Sequence, residues 1–353
     1  MKSANRFVLL DGLRGVAAFI VLVFHLVQQH TLTALPYASL AVDFFYVLSG
    51  FVVAYAYERK ILSGQMQTRE FIGVRIKRLY PLIFLSTLIG ILMALLAVVF
   101  KDSITLLQLL KVSVLGLLVL PSFVFPQWQT AYPLNMASWS LTFEAFANLV
   151  YISIVRQLTN KALLLVVAIS WLALLFLVTY ANGISGGNNQ EGWSLGFFRV
   201  MFPFFTGVAL YRFKPQPKEH LVTGMALLLV FSAILLVNLP HYAICSLIYV
   251  SIIFPAIVYA GSGMTISHGI SAFLHQLGLI SYPIYIMQGP LLRIGEEIMK
   301  HIHSNTMAWL FSVLEFCVVV LVSWIASKYF DEPVQRILRG EKRLLQGDFV
   351  RHS

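Results

Sequence analysis

Arg14 and His25 lie eleven residues apart in one apolar run near the N-terminus. On an α-helix that spacing puts them about 20° from a common face and about 16 Å apart along the axis. Asp11, three residues before Arg14, shares the stripe. An imidazole in apolar surroundings can take a proton from a hydroxyl or carry a group transiently, and a carboxylate beside it fixes its tautomer. Glu144, in Ser138-Trp139-Ser140-Leu141-Thr142-Phe143-Glu144, is expected at a depth similar to His25 and is the first candidate for that orienting role. Asp43 is the second. A different chemistry is written in Phe71–Pro81, FIGVRIKRLYP, where Arg75 and Arg78 are i,i+3 neighbours with Lys77 between them. At a helix N-terminus such a cluster can cradle phosphates, with Arg14 reaching it from the first helix. The same residues also have plainer readings. A snorkelling Arg14, a structural His25, a Glu144 bonded to hydroxyls, and arginines that merely set topology remain open from sequence.

These residues stand out because charge is scarce. The 353-residue chain is 59% hydrophobic and 11% charged, against roughly 25% charged in ordinary globular proteins. A soluble enzyme, a disordered chain and a disulfide scaffold are thereby excluded, leaving an all-α, polytopic membrane helix bundle. Cys245 and Cys317 both lie in apolar stretches and say little about redox compartment. Inside a bilayer a charged side chain costs at least about 2.5–3.5 kcal/mol at the helix centre. The few present, Asp11, Arg14, Asp43, Glu144, Arg199 and Glu315, are therefore the places to look for function, with His25.

Apolar runs begin near Phe7, Leu40, Leu79, Ile104, Trp139, Ala162, Leu195, Leu221, Tyr242, Phe273 and Met307. A span needs about 20 such residues. If Ile104–Val124 does not cross, nineteen of the 25 Lys and Arg fall on one side; if it does, the basic segments after it face outward. The positive-inside rule selects the first arrangement. About ten transmembrane helices are expected, with both termini cytoplasmic and 104–137 an outer re-entrant or surface element. The N-terminal run, flanked by Lys2 and Arg6, reads as a retained first helix rather than a cleaved leader. Residues 1–330 form the membrane domain and 331–353 a cytoplasmic basic tail, in which Gln335–Leu345 alternates basic and apolar residues as a surface-lying helix does. The net charge of +10 belongs to this topology and not to nucleic-acid binding.

Six segments in order resemble the membrane acyltransferase 3 family of multi-pass bacterial acyltransferases. LDGLRGVAAFIVLVFH (Leu10–His25) is similar to its opening helix, and VDFFYVLSGFVVAY (Val42–Tyr55) to its aromatic second helix. RIKR (Arg75–Arg78) resembles its Arg-x-x-Arg pair, and ASWSLTFEAFANLVY (Ala137–Tyr151) its Trp-Ser-Leu…Glu segment. LGLISYPIYIMQGP (Leu277–Pro290) and Asp331-Glu332-Pro333 are similar to its late Ser-Tyr and acidic-Pro segments. Where many members carry His, this chain has Gln288.

The resemblance implies transfer of an acyl group, acetyl above all, from cytosolic acyl-CoA to a hydroxyl of an extracytoplasmic or lipid-linked glycan at the bacterial inner membrane. It casts His25, Glu144 and Asp43 as catalytic, Arg14, Arg75, Arg78 and Lys77 as holders of the CoA phosphates, and Ser49-Gly50 as a close helix approach. No metal is implied. A transporter or flippase for a lipid-linked sugar is the rival reading. The oligomeric state and the acceptor are left open.

Overall fold

In the computed structural model, the described residues are 7–30, 34–101, 104–125, 129–214, 218–219, 221–265 and 268–340. The proposed surface helix Gln335–Leu345 falls partly outside them, and Lys2 and Arg6 wholly so. The chain is a polytopic helical bundle. Its helices are α1 (Val8–Gln28), α2 (Ala41–Leu62), α3 (Thr68–Lys101), α4 (Leu106–Leu117), α5 (Ser138–Ile154), α6 (Asn160–Ala181), α7 (Leu195–Arg212), α8 (Leu221–Leu236), α9 (Tyr242–Ile248), α10 (Phe254–Ser262), α11 (His268–Met299), α12 (Asn305–Ala326) and α13 (Glu332–Leu338). The described non-helical pairing is slight: Lys218–Glu219 (β1) beside Met264–Thr265 (β2), and one bridge between Thr130 and Asn189.

Among the described residues, seven helical stretches are long and apolar enough to cross a membrane: Val8–Gln28, Pro36–Leu62, Thr68–Val99, Asn160–Ala181, Tyr242–Ser262, Gly269–Met299 and Asn305–Leu338. The runs from Trp139, Leu195 and Leu221 form helices of 17, 18 and 16 residues that pack beside them. The run from Ile104 is helical only over the twelve residues of α4, opened by a capping box between Thr105 and Gln108. Twelve residues rise about 18 Å, too little for a hydrocarbon core of about 30 Å. α4 instead lies along α3: Tyr80 Oη donates to the Leu117 carbonyl at 3.1 Å, and Ile91 and Val98 pack on its apolar cluster.

Two helix pairs form the frame. α1 and α11 run parallel, with Gly12 against Leu274, Gly15 against Leu277 and Gly278 against Asp11. α2 and α7 also lie side by side, and here backbone meets backbone: a Cβ on Gly50 would run into the Phe204 carbonyl, and one on Gly207 into that of Val47. Without a hydrophobic drive between helices in lipid, such close approach at small residues supplies the association. Aromatic side chains then fill the seam, with Phe44, Phe51, Phe204, Phe205 and Phe254 all fully buried.

Gly50→Ala is expected to cost about 1–3 kcal/mol through forced separation of α2 and α7. Thermal unfolding in detergent measures this, and an unchanged midpoint would mean that the two backbones can move apart freely.

Candidate functional site

The loops between helices gather at the two ends of the bundle. At one end, Arg212 closes α7 onto Glu58 at 3.0 Å, the Leu158 carbonyl and Asn160. At the other end, segment 182–194 lies across Phe125 and 129–132: Gln190 donates to the Phe125 and Thr130 carbonyls, and Ala131 N–H to the Asn188 carbonyl. Beneath this second cover is a cavity of about 1370 Å³ bordered by His25, Gln28, Trp139, Arg199, Tyr285 and Gln288, with Asn188, Asn189 and Gln190 above.

His25, in the last turn of α1, reaches the cavity. Its Nδ1 lies 3.3 Å from Gln28 Oε1. In the Nδ1–H tautomer this contact is a hydrogen bond to the amide oxygen, and Nε2 then keeps its lone pair. The α1/α11 register, also fixed by Gln29 Nε2 donating to the Leu292 carbonyl at 3.5 Å, puts His25 level with Gln288.

The expected carboxylate–imidazole pair does not form. Glu144 Oε1 accepts from Arg75 and from Ser49 Oγ, the latter at 2.6 Å. Asp43 is wholly buried and takes Arg199 on both oxygens, at 2.8 and 2.6 Å. In each case a carboxylate out of water has taken a guanidinium, the partner that best offsets its desolvation. Depth alone misled the pairing. Glu144 lies a turn and a half into α5, and this helix begins well inside the bundle because Asn135 is anchored by Ser86 and the Ile286 carbonyl.

The cations expected to act together do so only to a degree. Arg78 is exposed, its guanidinium has no hydrogen bond or ion pair among the described residues, and it feels the charges of Arg75 and Arg14; only its carbonyl is bonded, accepting from Gln335 Nε2 at 3.4 Å. Arg14 donates to the Gly278 carbonyl at 2.6 Å and stands 3.6 Å from Asp11, which also meets His275. Lys77 points elsewhere, donating to the Leu338 carbonyl of α13. Arg78 is thus the group in this cluster most open to an incoming phosphate. The cluster and the cavity are not continuous. Along α5, Trp139 borders the cavity, Ser140 is tied to Tyr285 Oη and Tyr46 Oη, and Glu144 follows with Arg75.

The sequence marks Arg199 without a partner and places the loop around residue 187 on the outer side, but gives Ile184–Gly192 no functional part. The signal available was a Gly/Asn/Gln-rich run between two apolar helices, a composition suited to a polar lid. Arg199 ties this lid down, donating to the Gly186 carbonyl at 3.3 Å with its guanidinium 5.1 Å over the Trp139 ring. Among the described residues no three His, Cys, Asp or Glu side chains gather to hold a metal.

The helix bundle thus holds a cavity bordered by His25 near one end and, beyond Ser140, an arginine whose side chain has no partner among the described residues. The chain belongs to the acyltransferase 3 family: residues 7–328 match its model, described as an acyltransferase domain. It is a membrane acyltransferase, and this membership lends no support to a transporter. The chain is similar, at 36% identity over 187 residues, to "Protein 2 in picA locus" of Rhizobium radiobacter; the match covers 48% of this chain and 94% of that protein. No solved structure matches it significantly.

Asp43→Asn leaves Arg199 charged and unpaired, so it is expected to destabilise the protein by about 3–5 kcal/mol. Asp43→Asn with Arg199→Gln should recover much of that loss in detergent unfolding; a double variant as weak as the single would show that the pair is not the element at stake.

Proposed function

We propose that the protein moves an acyl group, acetyl in the first instance, from cytosolic acyl-CoA to a hydroxyl of an extracytoplasmic or lipid-linked glycan. The observation that carries this reading is polarity of position: His25 opens to the covered cavity, while Arg78, beside Arg14 and Arg75, remains available beyond the layer that closes it. Nineteen of the 25 Lys and Arg lie on the cytoplasmic side if the chain crosses the bacterial inner membrane ten times, with both termini inside. The cavity then faces outward and the arginines face the donor.

His25 Nε2 takes the proton of the acceptor hydroxyl as its oxygen attacks the thioester carbonyl. The C–S bond breaks, the proton passes to the thiolate, and free thiol and O-acyl glycan result. Arg78 holds donor phosphate, with Arg14 and Arg75 adding field; Glu144 keeps Arg75 in place. Asp43 acts through Arg199 and the lid. Tyr285 and Trp139 offer ring faces and a hydroxyl to a sugar.

With labelled acetyl-CoA and purified protein, His25→Ala is expected to lose transfer by about 10²–10⁴-fold while still binding donor. Retained transfer would remove His25 from the chemistry. Arg78→Ala should weaken acyl-CoA binding by about tenfold or more, the worth of a charge-assisted hydrogen bond; unchanged affinity would leave Arg78 a topology signal.

For orientation, Asn189→Cys in a background lacking Cys245 and Cys317 should react with an impermeant maleimide on intact cells. Reaction only after the cytoplasm is opened would invert the assignment.

A further inference from the structure

The charges around the cavity are unequal in a way that bears on the acceptor. This inference rests on the glycan-acylating reading and narrows it. Glu191 and Glu296 border the cavity, both exposed, and neither has a hydrogen bond or ion pair among the described residues. Glu297 stands next to Glu296, and buried Glu315 lies behind the same wall, where Gln29 reaches it. Against these carboxylates the described cations are Arg293, which donates to the Pro133 carbonyl, and Lys300, bonded to Glu297 at 2.7 Å. His25 is neutral when it serves as base. Arg199 also borders the cavity, but its charge is spent. An anion that recruited it would strand Asp43, which has no exposure at all, and an unpaired buried carboxylate is among the costlier states a protein can adopt.

The wall's amides lean the same way. Gln288 Nε2 donates to the Tyr285 carbonyl at 3.2 Å, and Gln29 Nε2 to the Leu292 carbonyl and Glu315. Carbonyl and carboxylate oxygens only accept, so both amide orientations are fixed. Each leaves a buried Oε1 with no partner. The donors of these two amides are committed to the protein, and their Oε1 atoms are shut away from the cavity, so neither amide has a donor for an incoming anion.

We propose that the outer cavity selects an uncharged or amine-bearing sugar as its acceptor and discriminates against uronate- or phosphate-bearing ones. Such a ligand brings no anionic group to a rim with surplus carboxylates and asks for no donor from amides that have none to spare.

The test compares three methyl glycosides of one configuration: the neutral hexose, its amino-sugar analogue and its uronate. Acyl transfer from acetyl-CoA and direct binding by calorimetry are both measured, at low and high salt. At low ionic strength the uronate is expected to show a KM and a Kd at least about fivefold above those of the neutral sugar, a gap that salt narrows. Glu191→Gln with Glu296→Gln should bring the ratio towards one. Equal or preferred use of the uronate, or a ratio unmoved by the double variant, overturns the selectivity. If no glycoside is acylated but the binding order holds, the acyl-transfer reading falls and the selectivity of the cavity stands.

Discussion

Three carboxylates, two buried and one half-buried, each face a guanidinium and determine how the bundle is assembled. Asp43 meets Arg199, Glu58 meets Arg212, and Glu144 meets Arg75. A lone charge at these depths would be prohibitive, whereas a paired one is close to neutral for stability. Such pairs therefore add little net energy and instead penalise every arrangement in which they are not met. The first two both join α2 to α7, at opposite ends of the seam where Gly50 and Gly207 let the backbones touch. A slip of one residue between these helices would break both of those ion pairs and drive side chains into spaces sized for glycine. The register is consequently fixed by cost rather than by gain.

The same pairs connect frame to function. Arg199 satisfies Asp43 in the core through Nε and NH2 and, through NH1, holds the Gly186 carbonyl of the lid. The lid in turn is bridged to 129–132 through Thr130, Asn188 and Gln190. One guanidinium thus transmits the α2/α7 register to the cover of the cavity. Glu144 has a comparable double duty, joining α5 to Ser49 of α2 and Arg75 of α3. That leaves the Arg78 guanidinium, a turn further along α3, without a partner of its own among the described residues. Two arginines three residues apart have opposite fates because one carboxylate lies within reach of only one of them.

Much of this was legible in the sequence, and the boundary is instructive. Scarcity of charge identified the membrane bundle, and the positive-inside count rejected a crossing at 104–124, which the short α4 agrees with. The six family segments identified the acyltransferase, and the residues they singled out do sit in the bundle's interior or at its cationic end. Pairing was not legible. Sequence gives depth along a helix with fair accuracy once the start is known, but α5 starts where Asn135 is held, and nothing local to Trp139 or Glu144 reveals that anchor. Azimuth is worse, since it depends on which neighbour a helix faces. Glu144 and His25 could share a level on paper while facing different partners. The lid escaped for another reason: its residues are individually ordinary, and they matter only because 129–132 and Arg199 hold them over a cavity.

The layer between the cavity and the arginines differs in kind from what lies on either side of it. It is made of neutral bonds, Tyr285 Oη with Ser140 Oγ at 2.7 Å and Tyr46 Oη to the Ser140 carbonyl at 3.2 Å. On the proposed reaction the thioester must pass from the donor side to His25, and something must yield. Breaking a neutral hydrogen bond whose hydroxyls can find another partner costs about 0.5–1.5 kcal/mol. Separating either flanking ion pair costs several times more. The path of least resistance therefore runs between α5 and α11 through rotating hydroxyls, with Asp43–Arg199 and Glu144–Arg75 standing as fixed walls. A barrier of that composition keeps water and protons from crossing at rest, yet gives way to a substrate arm that brings its own hydrogen-bonding groups.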